Sequence, residues 1–171
     1  MNADPKKEAM IKVVKDAVMV EVKGQQLYSH AATEAVDPAA KAMFEMLAKD
    51  EDDHVRILMT QYKSLMSDGK LDLSEVHPAA VDHGSQDVIS DEFKKSIKGG
   101  KFEMAVIGIG CDLENKAIAY YKKHAAETDD AELKQLFTWL VEWEDGHLEQ
   151  LMELEKMYQD AYWADQGFSP M

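Results

Sequence analysis

The chain of 171 residues is long enough for one domain with a sizeable apolar core, and its single cysteine, Cys111, excludes an intramolecular disulfide and any four-cysteine metal site. With 19 Lys+Arg against 33 Asp+Glu, the net charge of −14 repels nucleic-acid phosphates and anionic lipid alike. MNADPKKEAM at the N-terminus lacks a secretory apolar run, and AVMVEV at 17–22 and MAVIGIG at 104–110 are too short to span a bilayer, so a soluble, cytoplasmic protein is expected, with neither nucleic acid nor membrane as partner.

Helical periodicity dominates the chain. Asp4-Pro5 reads as an N-cap followed by proline at the first helical position, opening a helix over about 5–35. Asp37-Pro38 turns the chain into a second helix, about 38–67, which stops at Asp68-Gly69. The period is lost over 69–89, which carries Gly69, Pro78 and Gly84, and the segment of about 69–100 reads as a long crossover. Ser90-Asp91-Glu92 is placed to start a short helix broken at Gly99-Gly100. A third helix follows over about 101–127, and Thr128-Asp129-Asp130 leads into a fourth, about 130–160, with a loose tail from Gly167. Short first and last connections imply two antiparallel hairpins. The expected fold is all-α, an antiparallel four-helix bundle whose hairpins are joined by the crossover, in one domain over 1–171.

The two hairpins repeat one another. EVKGQQLYSHAATEAVDPAAKAMFEMLAKDEDDH (21–54) aligns without a gap on ENKAIAYYKKHAAETDDAELKQLFTWLVEWEDGH (114–147). The alignment pairs Glu21 with Glu114, Tyr28 with Tyr121, Glu51 with Glu144 and His54 with His147. The apolar stripes, traced at spacings of three and four, run through Met10, Val14, Ala17, Glu21, Gly24 and Tyr28 in the first helix, and through Leu47, Glu51, His54, Leu58 and Tyr62 in the second. The third follows Met104, Ile107, Cys111, Glu114, Ile118 and Tyr121, and the fourth Leu136, Leu140, Glu144, His147 and Leu151. Every stripe thus carries a carboxylate near its middle, and two add a histidine three residues on, on the same helix face.

One Glu-x-x-His pair in so acidic a chain is weak, because helical glutamates usually form a solvated face. Here both pairs lie on apolar stripes at equivalent places in the repeat, while His30, His77, His83 and His124 have no carboxylate three residues before them. An unpaired buried carboxylate costs on the order of several kcal/mol. Four would rival a whole domain's stability of roughly 5–15 kcal/mol. Protonation would relieve that cost, and so would two divalent cations. Oxygen and imidazole donors together suit iron or manganese and leave zinc open.

The pattern Glu21, Glu51-x-x-His54, Glu114, Glu144-x-x-His147 resembles the ferritin-like di-iron carboxylate proteins, within them the rubrerythrin-like branch, over all four helices. That resemblance implies two iron ions bridged by Glu51 and Glu144, with Glu21 and Glu114 holding one ion each and His54 and His147 also taking one each. The sequence departs from the family twice. Full-length rubrerythrins add a rubredoxin-like domain whose iron takes four cysteines, and one cysteine cannot supply that relay. They also carry an extra glutamate one turn past the third-helix ligand, where this chain has Ala117, which leaves open the iron shift and efficient peroxide reduction that use it.

Around these six residues, Tyr28 and Tyr121 are placed to hydrogen-bond a ligand carboxylate and Asp50 to orient a histidine, although the repeat puts Trp143 opposite Asp50. Gly24, Gly108 and Gly110 are read as close helix packing ahead of room for a small oxidant, Cys111 as a small core residue ahead of a redox group, and His30 and His124 as surface residues. The expected function is a di-iron oxidoreductase reacting with dioxygen or hydrogen peroxide, re-reduced by an external electron donor. The alternatives are ferroxidase-type iron storage, which needs a many-subunit shell, and a metal-stabilised interaction module without turnover. A homodimer is the expected assembly.

Overall fold

The computed structural model describes residues 5–76 and 100–167. The Asp4 cap, the short helix from Ser90, His77, His83, most of the crossover and the end of the tail lie outside them. Among the described residues four helices carry the fold, α1 Pro5–Glu34, α2 Pro38–Ser67, α3 Lys101–Glu127 and α4 Ala131–Asp165, with one 3₁₀ turn at Leu73–Glu75. There is no strand among the described residues, and the architecture is the all-α four-helix bundle that the periodicity predicts.

Local chemistry sets the helix ends. Asp37 caps α2, its Oδ1 accepting from the N–H groups of Ala39 at 2.8 Å and Ala40 at 3.3 Å, with Pro38 in the first turn where no N–H is needed. Asp130 caps α4 by accepting from the Leu133 N–H at 3.1 Å, so the helix starts at Ala131, one residue later than predicted. At its other end α4 outruns the predicted limit near 160 and continues to Asp165. No glycine or proline interrupts the chain between His147 and Gly167, whose positive φ of 79° ends the helix. Where the crossover begins, the Gln61 side chain clasps the Asp72 backbone from both sides, donating to its carbonyl at 2.6 Å and accepting from its N–H at 2.8 Å.

Packing follows the repeat. Helix α1 lies along α2 and α3 along α4, and the hairpins meet mainly through α1 and α3. The apolar interior falls into two clusters. One contains Val14, Ala17, Leu58, Leu65, Tyr121 and Leu136. The other contains Tyr28, Phe44, Leu47, Ile107, Leu151 and Tyr158. On every helix the two clusters are separated by the glutamate of the stripe. Each buried Leu, Ile, Val or Phe contributes roughly 1.5–3 kcal/mol, so two dry cores clamp the polar level between them.

A buried carboxylate that the periodicity did not single out ties the hairpins together. Glu103, in the first turn of α3, accepts from the N–H groups of Val36 at 3.0 Å and Asp37 at 3.3 Å, in the turn between α1 and α2. Gly100 leaves room for it, because a Cβ there would stand 1.9 Å from Glu103 Oε2. Gly110 packs closely as expected, its Cβ position 3.1 Å from both Leu151 Cδ1 and the Tyr28 hydroxyl oxygen. Gly108 does not: it is exposed, and nothing lies within 4 Å of its Cβ position. His30 is exposed as expected, but His124 is half-buried, its ring 4.4 Å from that of Tyr120.

Candidate metal centre

Glu21, Glu51, His54, Glu114, Glu144 and His147 meet at the level between the two apolar clusters, and none is more than 2% exposed. The antiparallel hairpins bring them to one height. His54 Nδ1 lies 3.0 Å from Glu21 Oε2, 3.2 Å from Glu144 Oε1 and 3.6 Å from Glu51 Oε2. His147 Nδ1 lies 3.2 Å from Glu144 Oε2 and 3.4 Å from Glu51 Oε1. Two overlapping groups result, Glu21/Glu51/His54/Glu144 and Glu51/Glu114/Glu144/His147, each with donor atoms within 4.8 Å of one another. Glu51 and Glu144 belong to both, and each group adds one glutamate and one histidine of its own.

The tyrosines act across the bundle. The Tyr28 hydroxyl of α1 donates to Glu114 of α3, and the Tyr121 hydroxyl of α3 donates to Glu21 of α1. The reciprocal pair reflects the antiparallel two-fold. Burial, then the Glu114 charge, pushes the Tyr28 phenol well above its ordinary range, so it remains a donor. Gly24 lies under Glu51, where a Cβ would come within 2.9 Å of the carboxylate carbon. Its repeat equivalent, Ala117, is buried, and the level has no further glutamate there.

Electrostatics divides the six groups. Burial, reinforced by the charges of Glu144 and Glu51, raises Glu21 and Glu114 well above the carboxylate range. Burial acts the same way on Glu51 and Glu144, but their contacts with His147 and His54 outweigh it and hold both low. Burial opposes charge on the imidazoles, yet the surrounding carboxylates raise both. In the metal-free core the balance thus favours protons on Glu21, Glu114 and the two imidazoles and negative charge on Glu51 and Glu144.

This balance leaves buried atoms unserved. Glu51 Oε1, Glu114 Oε2 and Glu144 Oε1 have no hydrogen-bond partner, nor do His54 Nε2 and His147 Nε2. An unsatisfied buried acceptor costs about 1–3 kcal/mol, and more when it is charged. Three carboxylate oxygens without a full hydrogen bond, beside the inward Nδ1 atoms of two imidazoles, make a donor set that suits a pair of divalent cations. The residues fit a two-metal site.

Outside this ring the two halves differ. Asp50 Oδ2 lies 3.4 Å from His147 Nε2, an ion-pair contact without the alignment of a full hydrogen bond. The matching place beside His54 is taken by Trp143, whose ring meets the imidazole edge-on at 5.3 Å, with Trp139 at 5.7 Å. Neither tryptophan was expected at the site. Trp143 stands seven residues after Leu136 on the α4 stripe, and the repeat, which pairs it with Asp50, was the signal that could have placed it. Cys111 is half-buried, and burial, then the Glu155 and Glu114 charges, keeps its thiol protonated.

Four helices that hold four buried glutamates and two histidines at one level define a protein of the ferritin-like class whose core groups could hold metal ions. A family model for rubrerythrin matches residues 12–155, and the chain belongs to the rubrerythrin family. No curated protein and no solved structure matches it. Among the described residues, no helix is long and apolar enough to cross a membrane.

Proposed function

We propose that the protein is an oxidoreductase that reduces hydrogen peroxide or dioxygen at a pair of iron ions and takes its electrons from a separate donor. The observation that carries this reading is the sharing of Glu51 and Glu144 between two otherwise separate donor groups, since two metals joined by common carboxylates can deliver electrons as a pair. When bound, iron supplies the one-electron steps that no side chain here can perform.

The protein's own part is binding, orientation and exclusion of water. Glu51 and Glu144 would offer oxygens to both metal positions, and Glu21 with His54 and Glu114 with His147 would complete them. The Tyr121 and Tyr28 hydroxyls hold Glu21 and Glu114 in place, and the apolar clusters above and below keep the level dry.

Elemental analysis of protein from its own host comes first, because the same donors accept manganese and zinc. Anaerobic loading with Fe²⁺ followed by hydrogen peroxide then tests the chemistry. An oxidised-iron absorption band and repeated turnover with a reductant are expected. Absence of the band, or oxidation without turnover, refutes the enzyme reading. A dimeric mass in solution, which we also propose, excludes a storage shell.

A further inference from the structure

We propose that the two metal positions are intrinsically unequal: the Glu114/His147 half binds its ion more tightly, with Asp50 as the positioning residue, and the Glu21/His54 half holds the weaker, more exchangeable ion. This deepens the metal-centre reading and rests on it.

The six donors and two tyrosines match under the two-fold in kind, although His54 Nδ1 meets Glu21 Oε2 at 3.0 Å while His147 Nδ1 makes its contacts to Glu51 and Glu144 and none to Glu114. The groups behind the imidazoles break it. His147 presents Nδ1 to the centre and has the Asp50 carboxylate 3.4 Å behind its Nε2. A carboxylate there fixes the ring's tautomer, favours the orientation that points Nδ1 inward, and makes that nitrogen a better donor to a cation. His54 also presents Nδ1 to the centre, but its Nε2, which like that of His147 lacks a full hydrogen bond, has no carboxylate at ion-pair distance, and the ring of Trp143 packs beside it. An indole ring packs against the imidazole without adding negative charge.

Access differs in the same sense. His54 lines a cavity of about 220 Å³ that also borders Asp50, Trp139, Trp143 and Arg56, the last ion-paired with Asp53 and Glu75 at the same rim. His147 does not line it. The half without the supporting carboxylate is therefore also the half beside an opening, which suits exchange of its ion.

Groups that support a metal-bound histidine change metal affinity by about 10–100-fold. Two ions sharing carboxylates would bind in unequal steps even at identical sites, so the test isolates each half. Co²⁺ binding is followed by calorimetry and by the visible absorption of bound cobalt in His54→Gln, which keeps the His147 half, and in His147→Gln, which keeps the His54 half. The His54→Gln protein is expected to bind one ion about 10–100-fold more tightly than the His147→Gln protein. Adding Asp50→Asn should remove that advantage in the first background and leave the second unchanged. Asp52→Asn, which removes an exposed charge of the same helix outside the cavity, should alter neither.

Equal affinities in the two single-site proteins overturn the proposal, as does an Asp50→Asn effect shared by both. If a histidine variant does not fold by circular dichroism, Asp50→Asn in the otherwise intact protein decides. It should weaken the first of two Co²⁺ steps and spare the second, and weakening of both overturns the proposal. An intact protein that takes up no cobalt refutes the metal centre itself. Two ions bound with equal single-site affinities would refute only the inequality.

Discussion

Loading the centre with two divalent cations should expel close to four protons. The structure supplies the count. Glu21 and Glu114 have raised pKa values, chiefly through burial and then the neighbouring carboxylates, while His54 and His147 are raised by carboxylate contacts that outweigh burial. Glu51 and Glu144 are held low and are already ionised. Four protons thus neutralise the four carboxylates before loading, and two doubly charged cations do so afterwards, so the core's net charge is conserved. At about pH 5.5, between the ordinary carboxylate and imidazole values, all four protons should be present. Each proton in competition is worth about 1.4 kcal/mol per pH unit, so the combined free energy of binding two ions should strengthen by about 5 kcal/mol per unit as pH rises in that range. Calorimetry of Zn²⁺ binding in buffers of different ionisation enthalpy counts the protons directly. Release of two or fewer would refute the charge assignment, because it would mean that Glu21 and Glu114 are already ionised.

The same shifts set the stability of metal-stripped protein. Groups with raised folded-state pKa values hold protons more firmly folded than unfolded, so their contribution is present below the unfolded values and lost as pH rises through the folded ones. Glu51 and Glu144 act oppositely, supporting the fold above their unfolded values and losing that support only on acidification through the lower folded ones. Thermal midpoints of the stripped protein should therefore fall as pH rises above the ordinary histidine value, and those of loaded protein should not. Tyr121→Phe removes the donor to Glu21 and should cost about 1.5–3 kcal/mol in denaturant unfolding at a pH where Glu21 is ionised, together with weaker metal binding. Gly24→Ala puts a Cβ 2.9 Å from the Glu51 carboxylate carbon and should lower affinity for both ions, while a helix-propensity gain of about 1 kcal/mol offsets the strain in stripped protein. Titration beside Ala117→Gly, which adds no atoms, checks this. Glu103→Ala leaves the Val36 and Asp37 N–H groups without their acceptor and should cost about 1–3 kcal/mol with no change in metal stoichiometry.

Periodicity and repetition were enough to assign the helices, their order and the six residues that converge. A helix has one phase, so an apolar stripe states which side chains face inward, and the gapless repeat places Glu51 and Glu144 at matching depths. The cap residues Asp37 and Asp130 made both tight turns legible, since their chemistry is local. Phase does not say which neighbour a buried side chain meets. That the Tyr28 hydroxyl reaches Glu114 and the Tyr121 hydroxyl reaches Glu21 depends on how α1 and α3 are set against each other. The placing of Asp50 behind His147 and of Trp143 beside His54 depends likewise on α2 and α4. Glu103 escaped notice because it serves backbone N–H groups 66 and 67 positions away, a partnership that no periodic pattern encodes. Gly108 looked like a packing residue only because its exposure depends on where α3 sits in the bundle. The inward set was written in the order of the residues, while the pairings within that set, and the inequality of its two halves, arose only when the hairpins packed.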